Sequence, residues 1–225
     1  MTTCLLSTTY FGPIQWYQKL CRYDRVLIEH CESFQKQTYR NRCLIASTQG
    51  VQALTVPVRS GEWRMENGEF ATALQATSAA VANSSLYTIH STLISDHGNW
   101  RHLHWQALQT AYGDSPFFEY YEDDLRPFFT ERRWERLTDF NADICRTMCR
   151  LLDIHPDIKP TTEYSKNGDF IDFRDTINPK HPLPDADFQP RRYWQVFEQR
   201  HGFLPNLSIL DLLFNMGPEA IFYLV

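Results

Sequence analysis

The sequence predicts an α/β protein. An N-terminal β-α-β unit and a hairpin form a mixed sheet, and a mainly helical C-terminal half packs on it. Three observations carry this expectation. Strand-like runs rich in β-branched and aromatic residues fill residues 1–60. Apolar residues recur at helical spacing through residues 96–225. The chain has 225 residues, 43% of them hydrophobic and 14% aromatic, which suits one substantial core and a single domain, 1–225.

CLLSTTYF reads as the first strand, broken by Gly12-Pro13. IQWYQKLCRYD then carries Ile14, Tyr17, Leu20 and Cys21 at helical spacing, with Pro13 suited to the first turn, where its missing N–H costs nothing. RVLIEHC follows as a strand, which completes the β-α-β unit. Such a unit favours a parallel pair and sets its first turn at the carboxyl end of a strand, where α/β proteins tend to bind ligands. TYRNRCLIAS and VQALTVPV flank Thr48-Gln49-Gly50 as a hairpin. Side chains alternate along a strand, so Asn41 and Arg42 share one pocket only if the strand bulges or has already ended.

Residues 60–95 are weakly patterned, and TALQATSAAVANSS reads as an excursion or loop. WRHLHWQALQTAY is a helix, capped by Asp96 or Asn99 and ended by Gly113, with Trp100, Leu103, Ala107, Leu108 and Ala111 as its apolar stripe. SPFFEYYEDDLRPFF is a short helix interrupted at Pro127. WERLTDFNADICRTMCRLLDI is the clearest helix, with Trp134, Leu137, Ile144, Met148 and Leu151 on one face. Residues 160–192 read as a long ordered loop. YWQVFEQRHGF and PNLSILDLLFNMGPEAIFYL read as two further helices, the second capped by Asn206 or Ser208.

A net charge of −5 argues against an extended nucleic-acid surface. The opening MTTCLLSTTYFGP has no basic residue and no apolar run of signal-sequence length, and no stretch approaches a spanning helix. The expected location is the cytoplasm, without membrane insertion. The six cysteines form no CxxC pair and read as small hydrophobes in a reducing compartment, although Cys145 and Cys149 stand four apart on a helix. No glycine-rich nucleotide fingerprint, GxSxG or HExxH is present. The composition names no cofactor and no oligomeric state.

Two places invite chemistry. His104 lies in the middle of an apolar stripe. It is either a core residue with hydrogen-bonded nitrogens or a general base in a partly dry pocket. Lys36, Arg40 and Arg42 either bind an anion or guard a solvated strand edge. A metal-dependent hydrolase using His97, His104 and a nearby acid is a further alternative, without a known ligand spacing behind it.

The ordered motifs resemble the WbqC-like protein family of bacterial surface-polysaccharide gene clusters, over nearly the whole chain. They read YFGPIQWY, KQTYRNR, LTVPV, WRHLHWQALQTAYGDSPFF and LSILDLLFNMGPE. The resemblance implies a transferase of acyl or aminoacyl type acting on a sugar or sugar nucleotide. It implies His104 as base and Lys36 and Arg42 on an anionic donor or diphosphate. It also implies Asn41 orienting a carbonyl or hydroxyl, Tyr10 stacking on a sugar face, and Trp100 and Tyr112 among the substrate-binding residues. The alternative is a non-catalytic protein that holds a nucleotide-sugar or a partner. The chain departs from the family pattern twice: Thr8-Thr9 stands where many members have Gln-Pro, and His30-Cys31 where many have Asp-Asp. Glu29 and Glu32 are the nearest carboxylates to stand in for that pair.

Overall fold

The computed structural model describes residues 1–59, 62–64, 70–72 and 88–225. The run TALQATSAAVANSS lies, after Thr72, outside them. The chain is an α/β protein with parallel and antiparallel strands and a helical C-terminal half.

β1 (Thr3–Ser7), α1 (Ile14–Arg22) and β2 (Arg25–Glu29) form the expected parallel unit, in register from Thr3↔Arg25 to Ser7↔Glu29. β1 is central, and Cys4, Leu5 and Leu6 are fully buried within it. Two short strands widen the sheet, one just ahead of the expected loop and one within it. β7 (Ile158–Pro160) pairs with β2 and β8 (Ile171–Asp172) with β1, giving the order β7-β2-β1-β8, parallel throughout. Their sequences conceal them, because two- and three-residue strands carry too few side chains to show alternation.

β3 (Arg42–Ser47) and β4 (Gly50–Thr55) make an antiparallel hairpin with its own ladder, closed by Ser47↔Gly50. Gly50 has φ +102°, which a side chain would strain. The strand starts only at Arg42, so Tyr39, Arg40 and Asn41 escape strand alternation and all three are buried. β5 (Glu62–Arg64) and β6 (Phe70–Thr72) pair antiparallel.

Helix α2 (Trp100–Tyr112) has the expected bounds, but its buried face is turned. Arg101, Trp105 and Tyr112 join Trp100, His104, Leu108 and Ala111 inside, while Leu103 is exposed. Aromatic bulk decides the rotation: Trp105 packs on Phe118 and Phe129 at 5.8 and 5.5 Å between ring centroids. Neither expected cap bonds the helix start; Asp96 instead pairs with Arg101 at 3.2 Å. Gly113 keeps a right-handed helical conformation, φ −55°, rather than the left-handed one. A side chain there is opposed by crowding, since an added Cβ would sit 2.7 Å from the Gln109 carbonyl oxygen.

α3 (Phe118–Leu125) and α4 (Pro127–Thr130) break at Pro127 as expected. α5 (Leu137–Leu151) buries Leu137, Phe140, Ile144 and Met148. The expected helix over 193–203 shrinks to α6 (Glu198–His201). Ahead of it, Tyr193 and Gln195 are drawn to the buried Asp211, whose Oδ2 accepts from Tyr193 Oη at 2.5 Å and Gln195 Nε2 at 2.9 Å. α7 (Ile209–Met216) is capped by Ser208, whose Oγ accepts from the Leu210 N–H.

The start of α7 is stapled to the opening turn. Ile209 N–H donates to the Gly12 carbonyl, Ser208 Oγ to the Phe11 carbonyl, and Ile14 N–H to the Leu207 carbonyl. Phe11 sits at φ +42°, a costly conformation for an aromatic residue. Those bonds, and its stack on Phe129 at 5.8 Å, hold it there. The connection between β1 and α1 is therefore rigidly placed.

A crevice at the carboxyl edge of the sheet

Parallel strands point their carboxyl ends the same way, and the backbone that leaves them cannot continue the ladder. A crevice therefore opens at that edge in many α/β proteins. Here Thr8 and Thr9 follow β1, His30 follows β2, and Pro160 ends β7; all four line a cavity of about 280 Å³. Trp16, Ile28 and Ile158 supply apolar wall, and α5 lays Asn141, Ala142, Cys145 and Arg146 along one side. These four fall at i, i+1, i+4 and i+5, one face of a helix.

The polar rim has distinct chemistry at each position. Arg146 is 73% exposed and pairs with Asp143. Such a surface pair is weak, and an incoming anion can compete for the guanidinium. His30 is half-buried, and its ring lies near-parallel to that of His90, 5.9 Å between centroids. Burial pushes the His30 pKa below its ordinary value, and the neighbouring His90 adds to this; Asp139 and Glu29 oppose it. The ring is thus neutral at pH 7, with a lone pair free to accept a proton. Arg136 Nη1 donates to His90 Nε2 at 3.1 Å.

The nearest carboxylates are saturated. Glu29, fully buried, accepts from Cys31 N–H, Thr161 Oγ1, Ser165 N–H and Arg174 Nη1 at 2.6–3.1 Å. Glu32 accepts two bonds from Arg40 and a longer one from Ser7 Oγ. Neither has a lone pair turned to the crevice without breaking a charged pair. Among the described residues, no three His, Cys, Asp or Glu side chains are arranged to hold a metal ion. All six cysteines are free thiols, and Cys145 Sγ stands 4.0 Å from Cys149 Sγ.

Of the residues expected to form the site, Tyr10, Trp100 and His104 are brought together, but buried in the core. His104 is 6% exposed, with Tyr10 Oη 2.9 Å from its Nδ1 and the Trp100 ring 5.1 Å away. Burial lowers its pKa to about 4, against a backbone hydrogen bond at Thr55, while the Arg101 charge adds to the lowering. Tyr10 is fully buried; burial drives its hydroxyl pKa well above the ordinary range, so it stays protonated and donates to His104. Tyr10 also packs near-parallel to Phe140 at 5.8 Å, so neither ring face is open to a sugar. Tyr112, fully buried, donates to Asp211 Oδ1 at 2.8 Å and accepts from Ala46 N–H at 3.1 Å. Asn41 Nδ2 donates to the Val56 carbonyl at 2.8 Å, which ties the turn before β3 to the end of β4. Lys36 is exposed between β2 and β3, and Arg42 Nε donates to Thr55 Oγ1 at 3.1 Å. None of these seven lines the crevice. Arg40, from the same basic cluster, turns inward to Glu32 rather than outward to an anion.

One signal for the crevice stood in the sequence. The β-α-β reading set the turn after the first strand, with Thr8 and Thr9, at a carboxyl edge, and both residues line the crevice. The α5 residues gave no such sign, because Asn141 and Arg146 look like ordinary polar positions of an amphipathic helix.

The fold and crevice define an α/β protein with a built cleft at the carboxyl edge of a parallel sheet. The model of the WbqC-like protein family matches residues 8–76 and 71–177, and the chain belongs to that family. It is 26% identical over 248 residues to the protein named Uncharacterized protein Rv1507c of Mycobacterium tuberculosis (strain ATCC 25618 / H37Rv), which covers 98% of this chain and 96% of that one. No solved structure matches. Among the described residues, no helix is long and apolar enough to cross a membrane.

Proposed function

We propose that the chain is an acyl- or aminoacyl-type transferase acting on a sugar or sugar nucleotide in surface-glycan biosynthesis, and that it works in the crevice after β1, β2 and β7. The observation that carries this is His30, a half-buried imidazole held neutral on the crevice wall, with the exposed Arg146 also on that wall. Family membership supports the substrate class. In this reading the acceptor's hydroxyl or amine attacks the acyl carbon of the donor, and its proton passes to His30. The bond to the leaving group breaks, the electron pair departs with that group, and the proton is returned to it. Arg146 holds the anionic part of the donor or the diphosphate.

Moving the base from His104 to His30 follows from access. A general base must come within hydrogen-bond reach of the proton it takes, and His104 is enclosed by Tyr10 and Trp100. The test is His30→Gln in a transfer assay with an activated acyl or aminoacyl donor and an amino-sugar nucleotide, read by product mass. Loss of about 100-fold or more in turnover, with folding intact, is expected. Undiminished turnover would refute the assignment. The saturation of Glu29 and Glu32 favours a second reading, a binding protein without turnover. It predicts ligand-dependent thermal stabilisation with no product after prolonged incubation.

A further inference from the structure

The apolar stripe that the sequence places on α2 is not all buried. Leu103 is 55% exposed, and with Gln106, Ala107 and Thr110 it forms one wall of an open groove of about 520 Å³. These four stand at i, i+3, i+4 and i+7, a single helical face. The tip of the β3–β4 hairpin forms a second wall with Gln49, Gln52 and Val51, the last 52% exposed. The half-buried Phe197, just ahead of α6, lines the groove as well. His201 Nε2 donates to the Thr48 carbonyl at 3.2 Å, which holds α6 to the hairpin tip.

Two features set this groove apart from ordinary surface. Exposed apolar side chains scattered singly are common, but here Leu103, Val51 and Phe197 share one concavity. The polar lining consists of amides and hydroxyls, and no charged side chain lines it, in a chain whose residues are 22% charged. Among the described residues, the exposed side chains of Gln49, Gln52, Gln106 and Thr110 make no hydrogen bond within the fold, so a ligand that bonds to them breaks none.

We infer that the groove is a second binding site, for an uncharged oligosaccharide. A sugar hydroxyl both donates and accepts, and the amide and hydroxyl side chains here do the same, whereas the lining offers no cation to a phosphate or carboxylate. Leu103, Val51 and Phe197 meet the C–H faces of the rings, while Gln52, Gln106 and Thr110 bond to the hydroxyls at their edges. Apolar wall with a few hydrogen-bonding groups is the usual composition of a small-ligand site. The groove has nearly twice the volume of the crevice, about 520 against about 280 Å³, which suits a short chain of rings rather than one. The two share no residue, so the groove does not depend on the reaction proposed for the crevice.

The full chain is titrated calorimetrically with maltotriose, cellotriose and triacetylchitotriose, in the native form and as Gln106→Ala/Thr110→Ala, Leu103→Asp and Arg146→Gln. Native protein should bind at least one trisaccharide with a Kd below about 1 mM. The affinity should be the same at about 50 and about 500 mM salt, because no charge takes part. Gln106→Ala/Thr110→Ala puts the best helix former at two exposed helical positions, so the melting temperature should not fall. Its affinity should drop about 10-fold or more. Leu103→Asp should weaken binding as well, and Arg146→Gln, in the crevice, should leave it unchanged. Binding lost in Arg146→Gln but kept in the α2 variants would put the sugar in the crevice; that overturns the inference and leaves the proposed reaction standing. Binding that falls with Leu103→Asp alone would mark an apolar surface of the kind a peptide takes, and overturns the sugar reading. Absence of binding by all three trisaccharides up to about 10 mM, or an affinity that falls with salt, also overturns it.

Discussion

Acidification should weaken the fold through one residue, His104. In the unfolded chain this histidine gains its proton near pH 6.5, whereas burial holds it neutral in the fold down to about 4. Between those values the unfolded state binds more protons, so stability falls as pH falls. Stability is fully retained above 6.5, and the loss is complete below about 4. The shift of about 2.5 units corresponds to about 3 kcal/mol in full, and to about 2 kcal/mol by pH 5. The assay is urea unfolding by tryptophan fluorescence at pH 7 and pH 5, on the native chain and on His104→Gln. Glutamine keeps a donor and an acceptor beside Tyr10 and Thr55 but does not titrate. Other acid-sensitive groups, His30 among them, act equally in both proteins and cancel in the comparison. The native midpoint should drop by about 1 M urea more than the variant's, for an m value of about 2 kcal/mol/M. Parallel losses in the two proteins would refute the claim that His104 is buried and neutral, and would reopen its role as an accessible base.

Further outcomes follow from other buried groups. Lys19 is 0% exposed and pairs with Asp185 at 2.7 Å, so Lys19→Met should destabilise by about 3–5 kcal/mol in chemical denaturation, because it leaves the buried carboxylate with only the neutral donors Gln15 Nε2 and Asp187 N–H. Tyr112→Phe removes a donor to Asp211 and the acceptor of Ala46 N–H, and should cost about 1–3 kcal/mol, measured the same way. Ser208→Ala removes both the α7 cap and the bond to the Phe11 carbonyl; a loss of about 1–2 kcal/mol is expected, visible as a lower melting temperature. His30→Gln should leave that temperature nearly unchanged while removing turnover, which separates a catalytic role from a structural one.

The local grammar of the chain determined much of the architecture. Gly12-Pro13, the turn at Thr48-Gln49-Gly50 and the 3.6-residue stripes were sufficient for β1, α1, β2, the hairpin, α2 and α5, since each rests on contacts within one element or between neighbours. Three decisions belonged to the tertiary structure. The rotation of α2 came from Trp105 meeting Phe118 and Phe129, partners distant along the chain. The strands β7 and β8 exist because β1 and β2 offer them edges, not because their own residues prefer a strand. The crevice was decided last and least legibly. It joins the ends of three strands to one face of α5. Periodicity records which side chains avoid water. It cannot record which strand ends and which helix face will share a cavity, because that depends on elements brought together only when the whole chain has folded.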